Sequence, residues 1–191
     1  ADGKWSLAKN MGPQLNNKNP NFINTVAATP DGKAVVLLLG NKYLEKGKMG
    51  AGVSISSNIG GTWSEPKALE IENDYNYNEK ANYFLANTRK ALLMSVERED
   101  TEGGRDLYVS FEKEDGKWTE PLNLGKAINT VGEESAPFLA SDDKSLYFSS
   151  NGFSGYGGSD VYMSKRLDDT WTNWSAPENL GPDINTKLDD L

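Results

Sequence analysis

The stretch WTEPLNLGKAINT, Trp118 to Thr130, returns as WSAPENLGPDINT, Trp174 to Thr186, and in looser form as WSLAKNMGPQLNN from Trp5 and WSEPKALEIENDYN from Trp63. The period of roughly 55 residues lies near that of repeat units built from four strands. Asn follows the Trp by eleven positions at Asn16, Asn129 and Asn185, and Asp74 holds that place in the second copy. Between these segments a second pattern recurs in register. TPDGKAVVLLLGN, ANTRKALLMSVE and SDDKSLYFSSN each set a polar turn at Lys33, Lys90 or Lys144, with a strand-like run after it. Asp-Gly, Asn-Thr and Asp-Asp suit such turns because these residues tolerate the dihedrals of a tight hairpin. A short run precedes each turn (FINTVAAT, ANYFLA, SAPFLA), and a period-two run follows (GAGVSIS, GRDLYVSF, SDVYMSK). Alternation of this kind predicts half-buried strands.

Each repeat therefore reads as four short antiparallel strands, and no segment sustains a helical period. The expected fold is all-β: propeller blades at 20–74, 75–129 and 130–191, with 1–19 as an extra outer strand of a preceding blade. Trp5, Trp63, Trp118 and Trp174 are expected to pack between neighbouring blades, since Trp brings a large apolar body to a regular place. Three blades cannot close a ring, which needs at least four, so the chain is expected to be part of a longer propeller or to be completed by a partner.

The composition narrows the chemistry. The 191 residues are 37% hydrophobic and 25% charged, which supports a packed core rather than a disordered chain. The formal charge of −8 argues against nucleic acid, whose phosphates call for clustered Lys and Arg. AVVLLL, Ala34 to Leu39, has the length of a buried strand, and no apolar run approaches a membrane span, so membrane insertion is not expected. There is no Cys and no His. Disulfides, the usual zinc, iron and copper ligand sets and every His-based triad are thereby excluded.

Ser135 to Thr186 resembles the WD40-like, Pro-Asp-type propeller repeat of the TolB class. Pro137, Ser141, Asp142, Lys144, Tyr147, Phe148, Ser150, Asn151, Gly157, Gly158, Asp160 and Tyr162 follow its pattern, as do Trp174, Pro177, Asn179, Leu180, Gly181, Ile184, Asn185 and Thr186. The second repeat keeps Gly103, Gly104, Asp106, Tyr108, Trp118, Pro121, Asn123, Leu124 and Gly125. The first keeps Pro30, Asp31, Gly32 and Lys33, but NKYLEKGKMGAG replaces its Gly-rich segment. The resemblance implies a periplasmic or outer-membrane-associated bacterial protein, often of Bacteroidetes type. Such repeats lie beside tetratricopeptide and OmpA-like domains, including components linked to type IX secretion. It further implies binding and scaffolding without catalysis, Asp106, Asp160, Asn129 and Asn185 being repeat-forming residues.

One stretch points elsewhere. SSNIGGTWSEP, Ser56 to Pro66, follows the Asp box of sialidase propellers, with Asn58 where that box has Asp. Sialidases clamp a substrate carboxylate with three Arg, and this chain has only Arg89, Arg98, Arg105 and Arg166, scattered among turns and one acidic loop. A truncated carbohydrate-active propeller, needing two spaced carboxylates, is the alternative reading. No cofactor or metal is expected: SDD and ENDYN offer oxygens but not the spaced Asp loop of a calcium site. NGFSGYGGSD, with Phe153 and Tyr156, and NDYNYNEK, with Tyr75 and Tyr77, are the candidate binding loops for a protein or glycan partner in the cell envelope, because aromatic rings beside amides suit such faces.

Overall fold

The computed structural model describes residues 3–29, 34–44, 46, 48–88 and 90–191. The turn Pro30–Lys33 and Arg89 lie outside the described residues. Three antiparallel sheets follow one another along the chain. The first contains β1 (Ile23–Ala28), β2 (Ala34–Tyr43), β3 (Met49–Ile59), β4 (Thr62–Trp63) and β5 (Lys67–Ala68). The second contains β6 (Asn82–Leu85), β7 (Ala91–Val96), β8 (Asp106–Phe111) and β9 (Leu122–Asn123). The third contains β10 (Glu134–Leu139), β11 (Ser145–Ser150), β12 (Asp160–Lys165) and β13 (Glu178–Asn179). The sheets form an open arc, a partial propeller.

Period-two alternation sorts side chains between neighbouring interfaces. In the middle sheet Ala91, Leu93, Leu107 and Val109 face the third sheet, where they meet Leu139, Leu146, Phe148, Tyr162 and Trp174. Their alternates Leu92, Met94, Val96 and Tyr108 face the first sheet and meet Val36, Leu38, Val53, Leu69 and Trp118. Hence β7 is buried along its whole length, and β8, whose alternation predicted a half-buried strand, is buried up to its last residue, because this sheet has a neighbour on each side. β12, with a neighbour on one face only, keeps the alternating burial. The NKYLEKGKMGAG connection also differs from a plain loop, because its ends extend the β2–β3 hairpin through Lys42↔Gly50 and Tyr43↔Met49.

Outer segments end in a repeated turn. Asn123 Oδ1 accepts from Gly125 N (2.8 Å) and Asn129 Nδ2 (2.8 Å). Asn129 in turn accepts from Leu107 N (2.8 Å) and donates to the Leu107 carbonyl (3.0 Å), clamping the turn to β8. Asn185 does the same to Val161, at 2.8 and 3.0 Å, with Asn179 in the place of Asn123. Gly125 and Gly181 sit at φ 87° and 81°, in the left-handed region that glycine adopts without strain. Asp74, at the equivalent place in the first sheet, instead pairs with Lys42.

The outer strand expected within residues 1–19 is not formed among the described residues 3–22. β3, β8 and β12 already carry outer strands of their own, and the expectation for 1–19 concerns a further, preceding blade. Trp5 is fully exposed, whereas Met11 and Leu15 pack against Leu37, Leu39, Tyr43 and the half-buried Trp63.

Candidate functional site

The starts of β1, β6 and β10 converge with the bulged β2–β3 hairpin and the loop 73–81 around a cleft of about 610 Å³. Asn24, Asn41 and Asn82 contribute amides to it, Tyr75 an aromatic face, and Arg105 a guanidinium. The hairpin reaches it through a bulge at Asn41 (φ 71°), beyond which Lys42 forms an ion pair with Asp74 on the facing loop.

Arg105 is the most constrained of these groups. Its side chain is 9% exposed; Nη1 donates to Asn82 Oδ1 at 3.1 Å and Nη2 to Glu133 at 3.3 Å. Nε is buried with no acceptor among the described residues. A buried N–H without a partner costs on the order of 1–3 kcal/mol. Asn82 Oδ1 also accepts from Ala136 N (3.3 Å), whose φ of 48° marks the bulge in β10. Burial, then the charge of Asp74, pushes the Tyr83 phenol up, so it remains a neutral hydroxyl beside the cleft.

Of the two loops predicted from sequence, NDYNYNEK supplies the cleft with Tyr75 but not Tyr77. The Arg98 guanidinium lies 4.1 Å from the Tyr75 ring centroid and holds it in place, while Nη1 donates to the Asn73 carbonyl at 2.8 Å. Tyr77 packs 5.3 Å from Tyr75 and is exposed. The neighbouring amides are committed to the loop: Asn76 Oδ1 accepts from Asn78 N (3.1 Å) and Glu97 N (2.8 Å), and Asn78 Nδ2 donates to Glu97 (3.0 Å).

The structure places NGFSGYGGSD away from the cleft. Phe153 packs on Tyr162 (5.2 Å) and Phe148 (6.3 Å), and Tyr156 is exposed. Gly157 lets this loop approach the chain after the outer turn; a Cβ there would stand 2.5 Å from the Thr186 carbonyl oxygen. Gly103 meets Val131 in the same way at 2.4 Å. Asp160 Oδ2 accepts from Tyr156 N (2.6 Å), and Asp106 Oδ2 from Glu102 N (2.9 Å), so both acids organise their own loops. Burial drives Asp106 from the ordinary 3.8 to about 6, against the lowering effect of hydrogen bonds from Glu102 and Asn123.

Trp118 and Trp174 are buried between sheets, Trp63 is half-buried and Trp5 is bare. The Asp-box stretch forms the β3–β4 hairpin. Asn58 Oδ1 accepts from Gly61 N at 3.0 Å, and Ser56 donates to the Ser64 carbonyl at 2.8 Å. Ser110 and Ser164 make the same bond in sheets without that spelling, at 2.6 and 2.7 Å. The described Arg side chains do not converge: Arg98 pairs with Glu120, Arg105 with Glu133 and Arg166 with Asp169.

Sequence reading missed Asn24, Asn41, Asn82 and Lys42, which are brought together only where the first and second sheets meet. Arg105 was visible as a rare Arg, but nothing local to GGRD foretells its burial. No family model matches the chain, and no curated protein matches it significantly.

Proposed function

We propose that the chain is a non-catalytic propeller module of a bacterial cell-envelope protein, periplasmic or outer-membrane associated, that binds a protein or glycan partner. Its place in the envelope rests on the resemblance to the TolB-class repeats. The observation that carries the binding reading is the cleft in which Asn24, Asn41, Asn82, the ring of Tyr75 and Arg105 meet. Clefts of this size with a few fixed polar groups are the usual form of a recognition site. Amide and guanidinium donors around one aromatic face suit sugar hydroxyls, carboxylates or peptide carbonyls.

A carbohydrate-active reading has one observation in its favour: Asp74 and Glu79 both line the cleft. Asp74, however, is held by Lys42, and a general acid needs a free, raised carboxyl. The test is glycan-array and envelope-extract binding beside hydrolysis of aryl-glycoside and aryl-sialoside substrates. The binding reading predicts retention that Tyr75→Ala and Asn82→Ala each weaken about tenfold, with no turnover. Turnover abolished by Asp74→Asn or Glu79→Gln would overturn it.

A further inference from the structure

We infer that residues 3–17 are a preformed outer segment that docks onto the free third strand of a further propeller sheet, and that this strand carries the pattern apolar–x–apolar–Ser. The inference concerns this segment and is independent of what the cleft binds.

The turn is already built. Asn10 Oδ1 accepts from Gly12 N (2.8 Å) and Asn16 Nδ2 (3.2 Å), and Asn16 N donates to the Gly12 carbonyl (3.0 Å). Gly12 has φ 99°. Asn123, Gly125 and Asn129 make the same three bonds, at 2.8, 2.8 and 2.9 Å, and so do Asn179, Gly181 and Asn185, at 2.9, 2.8 and 2.8 Å. What Asn16 lacks is the strand that Asn129 and Asn185 clamp. The lead-in repeats too: ADGKW at residues 1–5 matches EDGKW at 114–118, and Gly3 and Gly116 share a positive φ of 68° and 79°.

The three complete sheets define what the missing strand must offer. The residue after each Trp accepts a third-strand N–H through its hydroxyl: Ser64 from Ser57 (3.1 Å), Thr119 from Phe111 (3.0 Å), Ser175 from Lys165 (2.9 Å). Ser6 holds this position in the N-terminal segment. Ser56, Ser110 and Ser164 return a bond to the carbonyl of that same residue. Three positions earlier stand Val53, Leu107 and Val161, of which the last two receive the Asn clamp. Hence VSIS, LYVS and VYMS give the partner pattern. A second copy of the chain offers no vacant edge of this kind among its described residues, since β3, β8 and β12 are occupied.

The test supplies such a sheet to the intact chain. Residues 75–113, which contain β6, β7 and β8, are copied directly ahead of Ala1, so that ADGKW continues the copied sheet as EDGKW continues β8. Amide exchange at Gly12 and Asn16 is expected to slow by on the order of a hundredfold. Asn16→Ala and Trp5→Ala, silent in the unmodified chain, are expected to lower the melting midpoint of the fusion, as is Ser→Ala at the copied Ser110. A second fusion copies 130–169 instead and gives the β12 edge the same hairpin length. Unchanged exchange at Gly12 and Asn16 in both fusions overturns the inference. So does a loss of stability in the unmodified chain from Asn16→Ala equal to that from Asn129→Ala.

Discussion

Residues 5–17 and residues 118–130 share Trp, the two Asn and the Gly in register, and their turns share the same internal hydrogen bonds. Yet Trp5 is fully exposed and Trp118 is 2% exposed. The difference separates two contributions that a folded blade normally merges. The turn of Asn-x-Gly-x-x-x-Asn forms without the third strand of its own blade, with Met11 and Leu15 packed on the first sheet. Burial comes from the third strand and the next sheet, which turn Trp118 from a solvated ring into a core residue.

The tryptophans should show the largest contrast. Trp118→Ala should destabilise the chain by about 3–5 kcal/mol in urea unfolding, the usual cost of emptying a buried Trp site. Trp5→Ala should stay within about 0.5 kcal/mol, as at other exposed positions. A next-smaller contrast lies at the clamps. Asn129→Ala and Asn185→Ala each strand a buried N–H and C=O of the third strand and should cost about 2–4 kcal/mol, while Asn16→Ala should cost little.

A third contrast concerns the Gly-Gly loops that fasten each outer turn. Gly103→Ala and Gly157→Ala drive a methyl to within 2.5 Å of carbonyl atoms of a facing backbone. Overpacking of this kind should lower stability by about 1–3 kcal/mol, read from thermal melts. The smallest effect is a pH slope. Asp106 binds its proton more tightly folded, near 6, than at the ordinary 3.8. Its contribution to stability is therefore complete below about pH 4 and is lost as pH rises through about 6. Asp106→Asn should flatten that part of the stability profile. Asp142 works in the opposite sense: amides of Ser145 and Lys144 hold it down at about 2, so its contribution is complete above about pH 4 and is lost as pH falls through about 2.

The fold was legible because its determinants are local and repeated. Asn129 and Asn185, Gly125 and Gly181, and the alternation of Leu107, Tyr108 and Val109 each announce an element from a few neighbouring residues. The full burial of β7 was not legible, since it depends on a sheet on either side. The cleft was less legible still. Tyr75 stood out as an aromatic in a loop, but Asn24, Asn41 and Asn82 look like any turn or strand-end amide until two sheets bring them together. Phe153 stood out for the same reason as Tyr75, and it turned instead onto Phe148 and Tyr162.

The central claim is that one turn, repeated along the chain, gains its stability from the sheet behind it. Native-state hydrogen exchange at matched amides tests it most directly: Gly12 and Asn16 against Gly125 and Asn129, and against Gly181 and Asn185. The three Asn–Gly–Asn hydrogen bonds recur in all three places, whereas Asn129 and Asn185 also clamp a third strand. The account predicts that Gly125, Asn129, Gly181 and Asn185 exchange by cooperative opening of their blades, and that Gly12 and Asn16 exchange orders of magnitude faster. Equal protection at all three turns would contradict it.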